Sequence, residues 1–168
     1  IGKGVAETFA KEGATVDINY PNASEEDNAE ETLTNIKAVS PNSKTHMADV
    51  SNEEDVVGMI ERIKDDFGTI DILVNNAGIV TTALVHEMKS SMWNELLAVH
   101  LNGTFMCTRE ALKIMYKNNY GRIINTASQL ASKGHDGLAH YTAAKGAIIS
   151  FTRSLSLEIG DNNIRVNC

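Results

Sequence analysis

Apolar residues recur along this chain in two periods. Short runs rich in Val, Ile and Thr predict strands near 14–19, 44–48, 70–74, 122–127 and 164–167. Between them, apolar positions return every three or four residues and predict helices near 3–12, 24–39, 53–67, 90–118 and 139–160, the fourth broken near Ser91 or kinked. The stretch over 53–67 is the clearest. Val56, Met59, Ile60, Ile63 and Phe67 fall on one stripe, Ser51 and Glu54 have capping-box spacing, and Gly68 supplies the stop. Strands that alternate with helices predict an α/β fold, a doubly wound parallel sheet of Rossmann type with helices on both faces in three layers. Pro21 and Pro41 sit at element boundaries, and no repeat or Pro-rich linker divides the chain, so 1–168 reads as one domain.

Composition narrows the function. With 168 residues and 42% hydrophobic content the chain can bury one core. The net charge of −7, with basic residues scattered, argues against nucleic acid or an anionic membrane as partner, and leaves a small-molecule substrate. No apolar run reaches the ~20 residues of a membrane span. Cys107 and Cys168 show no metal or disulfide spacing, so no metal site is expected and a reducing, cytoplasmic setting is. The chain opens at Ile1 inside a glycine-rich turn and stops at Cys168 after a strand-like run, so a domain truncated at both termini is expected.

Three groups of residues carry chemistry. Tyr141 and Lys145 stand one helical turn apart with Ser128 thirteen residues upstream of the tyrosine. A phenol has a reference pKa of about 10, so its anion at neutral pH must be stabilised by about 4 kcal/mol, and an ammonium on the same helix face favours it. Chance alone yields about 0.24 Tyr-x-x-x-Lys pairs in such a composition, so an exposed helix pair is the competing reading. Ile1-Gly2-Lys3-Gly4 leads into a helix, as a phosphate-binding turn does, although an ordinary glycine-rich helix start fits those four residues equally. Ile72-Leu73-Val74 followed by Asn75-Asn76-Ala77-Gly78 ends a buried strand in small residues that a flat ligand can approach.

These motifs, with Asp49-Val50, Gly121-Arg122-Ile123-Ile124-Asn125 and Ile164-Arg165-Val166-Asn167 in the same order, resemble those of the short-chain dehydrogenase/reductase family. Within it, the run of sequence is similar to 3-oxoacyl-carrier-protein reductases and glucose-dehydrogenase-like members. The resemblance implies an oxidoreductase that moves hydride between a nicotinamide cofactor and an alcohol/carbonyl substrate. Tyr141 is then the acid/base, Ser128 holds the substrate oxygen, and Lys145 lowers the tyrosine pKa and binds the nicotinamide ribose. It also places the glycine turn at Ile1 and Gly2 beneath the pyrophosphate, Tyr20 at the ribose end of its strand, Asp49 and Val50 beside the adenine, and Asn75, Ala77 and Gly78 along the nicotinamide side. The family forms dimers or tetramers through its long helices, which implies a homo-oligomer for the full-length protein.

The pattern departs from the family at one catalytic position, where His100 replaces an asparagine that supports a water chain to the lysine. The expectation is that His100 keeps the relay; a satisfied core histidine is the competing reading. The segment Ile18-Asn19-Tyr20-Pro21 carries neither the acidic residue that holds a ribose 2′-hydroxyl nor a basic one for a 2′-phosphate, so NAD or NADP fits, with a slight lean to NADP. Gln129, Leu130, Lys133, Gly134, His135 and Leu138 are expected at the pocket mouth, with Val80 and Leu84. Met47, Met106 and Met115 read as core filler. A catalytically retired nucleotide-binding protein, serving as a redox sensor or interaction partner, is the alternative function; the intact Ser128, Tyr141 and Lys145 argue against it.

Overall fold

The computed structural model describes all residues, 1–168. Helix α1 (Gly2–Lys11) leads to strand β1 (Asp17–Tyr20), a 3-10 turn (Ala23–Glu25), α2 (Glu26–Lys37) and β2 (Lys44–Met47). Then come α3 (Glu53–Phe67), β3 (Ile72–Asn75), α4 (Ser90–Leu97), a π-helical turn (Ala98–Asn102) and α5 (Gly103–Asn118). The chain finishes with β4 (Gly121–Asn125), α6 (Leu130–Lys133), α7 (Ala139–Glu158) and β5 (Ile164–Asn167). Every predicted strand and helix is present, and all strand pairs are parallel.

One expectation changes shape. The strands form two sheets, β1–β2 and β3–β4–β5, where the alternation implied one. A slot of about 1530 Å³ separates them, with β1 on one wall, β3 on the other, and Val5, Phe9, Ile60 and Ile63 along it. The reason is visible in the ladders. Lys44 and Ala48 donate to the carbonyls of Val16 and Tyr20, while Arg122 and Thr126 donate to those of Asp71 and Asn75. Because a parallel strand turns alternate residues to opposite edges, Asp17 and Asn19 on one side and Ile72 and Val74 on the other present their backbone groups to the slot. The slot wall also holds a charge inside a strand pattern: Asp17 bonds His46 Nδ1 across β1–β2, and burial raises the Asp17 carboxyl pKa against the opposing pull of His46.

The main core lies under the three-stranded sheet. Its 17 buried residues include Val56 and Met59 of α3, Met115 of α5, Ile123 of β4 and Leu155 of α7, whereas only Ala10, Leu33 and Ile36 form a core beside β1. At about 1.5–3 kcal/mol for each large side chain buried, stability is concentrated in the half that carries β3 to β5. Met106 and Met115 are core filler as expected, but Met47 is 52% exposed, since it ends β2 and turns to solvent. Cys107 is buried, and its thiol pKa is pushed up to about 11 by that burial.

Two local expectations are corrected. The long helix over 90–118 is not broken at Ser91; it runs from α4 into α5 through the π turn, where Thr104 Oγ1 donates to the carbonyl of His100 at 2.7 Å and satisfies it. The cap of α3 is not a Ser51–Glu54 box. Asn52 Oδ1 accepts the N–H groups of Glu54 and Asp55 at 2.9 and 3.3 Å, while Ser51 donates its hydroxyl to Asp49 at 2.7 Å. Asn52→Ala is therefore expected to lower unfolding free energy by about 1 kcal/mol in denaturant titration, and Ser51→Ala by less.

Candidate active site

The carboxyl ends of β3 and β4 are joined by side chains. Asn75 Nδ2 donates to Asn125 Oδ1 at 2.8 Å and to Thr108 Oγ1 of α5 at 3.0 Å; Asn125 Nδ2 donates to Thr152 Oγ1 of α7 at 2.9 Å. One hydrogen-bonded chain thus ties two strands to the two long helices. The backbone continues it. Thr126 donates its N–H to Asn75, and the Thr126 carbonyl accepts from Lys145 Nζ at 2.6 Å.

Lys145 is 3% exposed, and burial lowers its pKa from the ordinary lysine value. Its ammonium lies 5.7 Å from the Tyr141 ring centroid, so the spacing of four along α7 brings the pair together as the sequence implied. The other side of Tyr141 is met by His100, edge to face, with centroids 5.5 Å apart and planes at 89°. Ser128 precedes α6, where its Oγ accepts the Leu130 N–H at 3.2 Å.

His100 is 2% exposed, held by the π turn. Its Nε2 lies 3.1 Å from the Ile79 nitrogen and 2.7 Å from the Ile79 oxygen, while Nδ1 has no protein partner. Burial is the main cause that lowers its pKa; the bond to Ile79 acts against it, and the nearby Lys145 and His140 act with it. The ring also explains Gly78, because a Cβ there would stand 2.3 Å from His100 Cε1. That glycine is required by a neighbour rather than by its own torsion angles.

The cofactor residues named from the sequence collect mostly at one end of the slot between the sheets. Gly2, Asp49, Val50, Asn75, Ala77 and Gly78 line it. A Cβ at Gly2 would lie 3.0 Å from Asn76 Nδ2, so the glycine turn touches the Asn-Asn-Ala-Gly run. Val50 packs against Gly103 of α5, where a Cβ would meet its Cγ2 at 2.9 Å. Asp49 Oδ1 accepts both the N–H and the O–H of Ser51, at 2.9 and 2.7 Å. Ile1 is 92% exposed, and neither it nor Tyr20 lines the slot. Asn19 is committed to backbone, donating to the carbonyls of His46 and Ala48. Of the expected pocket-mouth residues, Lys133 pairs with Gln129 at 3.0 Å, His135 and Val80 are exposed, and Leu138 is buried.

A sequence profile described as short chain dehydrogenase matches residues 1–168. The chain belongs to the short-chain dehydrogenase family. Curated members of the family include 3-oxoacyl-[acyl-carrier-protein] reductase FabG of Staphylococcus aureus (strain Mu50 / ATCC 700699), 35% identical over 99% of this chain and 67% of its own length. The FabG of Escherichia coli (strain K12) is likewise 35% identical, with 66% of its length covered. Among solved structures, an NAD+-bound xylitol dehydrogenase superposes with a TM-score of 0.91 at 34% identity, covering 99% of this chain and 63% of that one. The chain therefore spans about two thirds of the length of these family members.

Sequence reading missed Asn125, Thr108, Thr152, Thr81 and His140. Asn125 lay inside a quoted motif, but nothing in the strand pattern distinguishes an inward amide from a turn residue; the others sit on helices or a loop without periodic signal.

His100 gives the site a pH signature. Its folded pKa lies below its unfolded value, so the unfolded chain binds the proton more readily, and stability is complete above the unfolded pKa of about 6.5 and falls as pH drops below it. Urea titrations at stepped pH should show that fall, and His100→Gln should flatten it over the same window.

Proposed function

We propose that the protein is an oxidoreductase that interconverts an alcohol and a carbonyl, with Tyr141 as acid/base. The observation that carries this reading is the Lys145 ammonium, buried and aimed by Thr126, 5.7 Å from the Tyr141 ring. A positive charge on that side of the ring favours the phenolate over the phenol, and the Ser128 hydroxyl stands ready for the substrate oxygen.

The residues fit a nicotinamide dinucleotide. Gly2 begins α1 beside Asn76, and the first N–H groups of that helix, which have no partner within it, suit a pyrophosphate. When bound, the cofactor supplies or accepts the hydride. The chain's own groups manage the proton. In reduction, Ser128 donates a hydrogen bond to the carbonyl oxygen and Tyr141 gives that oxygen its proton; Lys145 stabilises the phenolate left behind. Oxidation reverses each transfer.

We infer that His100 continues the proton path behind Lys145. The His100 carbonyl is already occupied by Thr104, and Nδ1 is the imidazole atom left without a protein partner. The carbonyl keeps a second lone pair, and Nδ1 is the ring atom open to the relay.

For the cofactor's ribose, the sequence lean to NADP weakens. Tyr20, expected near that ribose, has its pKa raised first by desolvation and then by the carboxylates of Glu26 and Glu30, and Lys3 is engaged by Glu31 at 2.7 Å. No uncommitted cation among these groups balances a 2′-phosphate, so we infer that NAD is accepted at least as well as NADP. The exposed Phe105 and Tyr116 on α5 support a homodimer or homotetramer through the long helices.

On the intact protein, Tyr141→Phe should lower kcat by about 10²–10⁴-fold while the nicotinamide dissociation constant stays within twofold; unchanged turnover would remove the assigned role. A His100→Asn variant that turned over much faster than the parent would exclude the relay. Fluorescence titrations with both reduced nicotinamides test the cofactor reading, which a Kd for NADH more than tenfold weaker than for NADPH overturns.

A further inference from the structure

His140 stands immediately before Tyr141 in α7 and is fully buried. Its Nε2 lies 2.9 Å from Thr81 Oγ1, and its Nδ1 has no partner. Three residues earlier, the Gly137 carbonyl accepts the Ala83 N–H at 3.0 Å. From the other side His100 holds Ile79. The segment 79–83, which directly follows the Asn75–Gly78 run, is thus pinned at three points. One is on the π turn, one is at His140 on the first turn of α7, and one is at Gly137, two residues before that helix.

Burial does not hold this segment by itself. Val80 is 64% exposed and the Thr82 side chain also faces solvent, so little apolar area is removed from water there. The Thr81 bond is therefore a main source of order. The bond uses one ring nitrogen of His140, and the other, Nδ1, meets no protein partner. An apolar side chain at this buried position could fill the space but could not hold the Thr81 hydroxyl, so a histidine here serves the loop.

We propose that Thr81 and His140 form a positioning pair that locks the loop after β3 to the base of Tyr141, so that nicotinamide binding and placement of the phenol are set together. This rests on the oxidoreductase reading above. His140 touches no reacting atom in this scheme; it acts through Thr81 on the loop and through the helix on Tyr141. The cofactor would meet a loop already in place, and would not have to order it on binding.

Thr81→Val keeps the shape and removes the hydroxyl. In the intact protein it should weaken NADH and NADPH binding, followed by nicotinamide fluorescence, about fivefold and lower kcat by a similar factor, as expected for one lost hydrogen bond. Amides of 80–83 should exchange faster with solvent, and the thermal midpoint should move little. Thr81→Ser should restore binding and turnover to within twofold. Combining Thr81→Val with His140→Phe should cost no more than His140→Phe alone. If the parent binds nicotinamide and Thr81→Val leaves Kd, kcat and the 80–83 exchange rates within twofold, the pair has no positioning role. A parent that binds neither nicotinamide overturns the oxidoreductase reading and this proposal with it.

Discussion

The run of buried amides and hydroxyls from Thr108 through Asn75 and Asn125 to Thr152 is the constraint on which the site depends. Asn125 is 1% exposed and Thr108 is also 1% exposed, so neither can turn to water if a partner is lost. Each link therefore enforces the next. Strands β3 and β4 end at a common level, and α5 and α7 are held against those ends. From that frame the Thr126 carbonyl holds the Lys145 ammonium beside the Tyr141 ring. A polar network of this kind contributes less to net stability than to the uniqueness of one arrangement.

Much of this was legible in the sequence. Alternating periods located all five strands and the long helices, because burial on one or two faces leaves a mark at spacing 2 or 3.6. Tyr141 and Lys145 were legible because helical spacing alone puts them on one face. What periodicity does not encode is pairing between elements distant in the chain. The gap between β1 and β3 was invisible for that reason, as was the role of Asn75, which the motif implied would face a ligand and which gives both hydrogens of its amide to neighbours. The cap of α3 was misread by one residue, since Ser51 and Asn52 both have capping chemistry and only the path of the backbone chooses between them. Asp17 is a carboxyl within the strand predicted over 14–19, and its partner His46 stands on the neighbouring strand, where no local pattern announces it.

The two histidines show the same limit more sharply. His100 is 21 residues from Ile79 and His140 is 59 residues from Thr81, and between them they hold the segment 79–81. Each leaves one ring nitrogen without a protein partner, and both lie next to Tyr141, one across its ring and one before it in the chain. Gly78 makes room for the first of them, which turns a glycine expected for ligand approach into one that also serves the packing behind it.

The π turn at Ala98–Asn102 acts as a phase shifter between α4 and α5. Such a turn amounts to one residue more than an α-helix needs, and each α-helical residue carries about 100° of rotation. Because that residue is taken up inside one wide turn, every residue of α5 stands one position later in the chain than an unbroken α-helix would place it on the same face. Met106 and Met115 reach the core in this way while Phe105 and Tyr116 stay exposed. The face that α5 gives the core is thus set by a count of residues upstream of it.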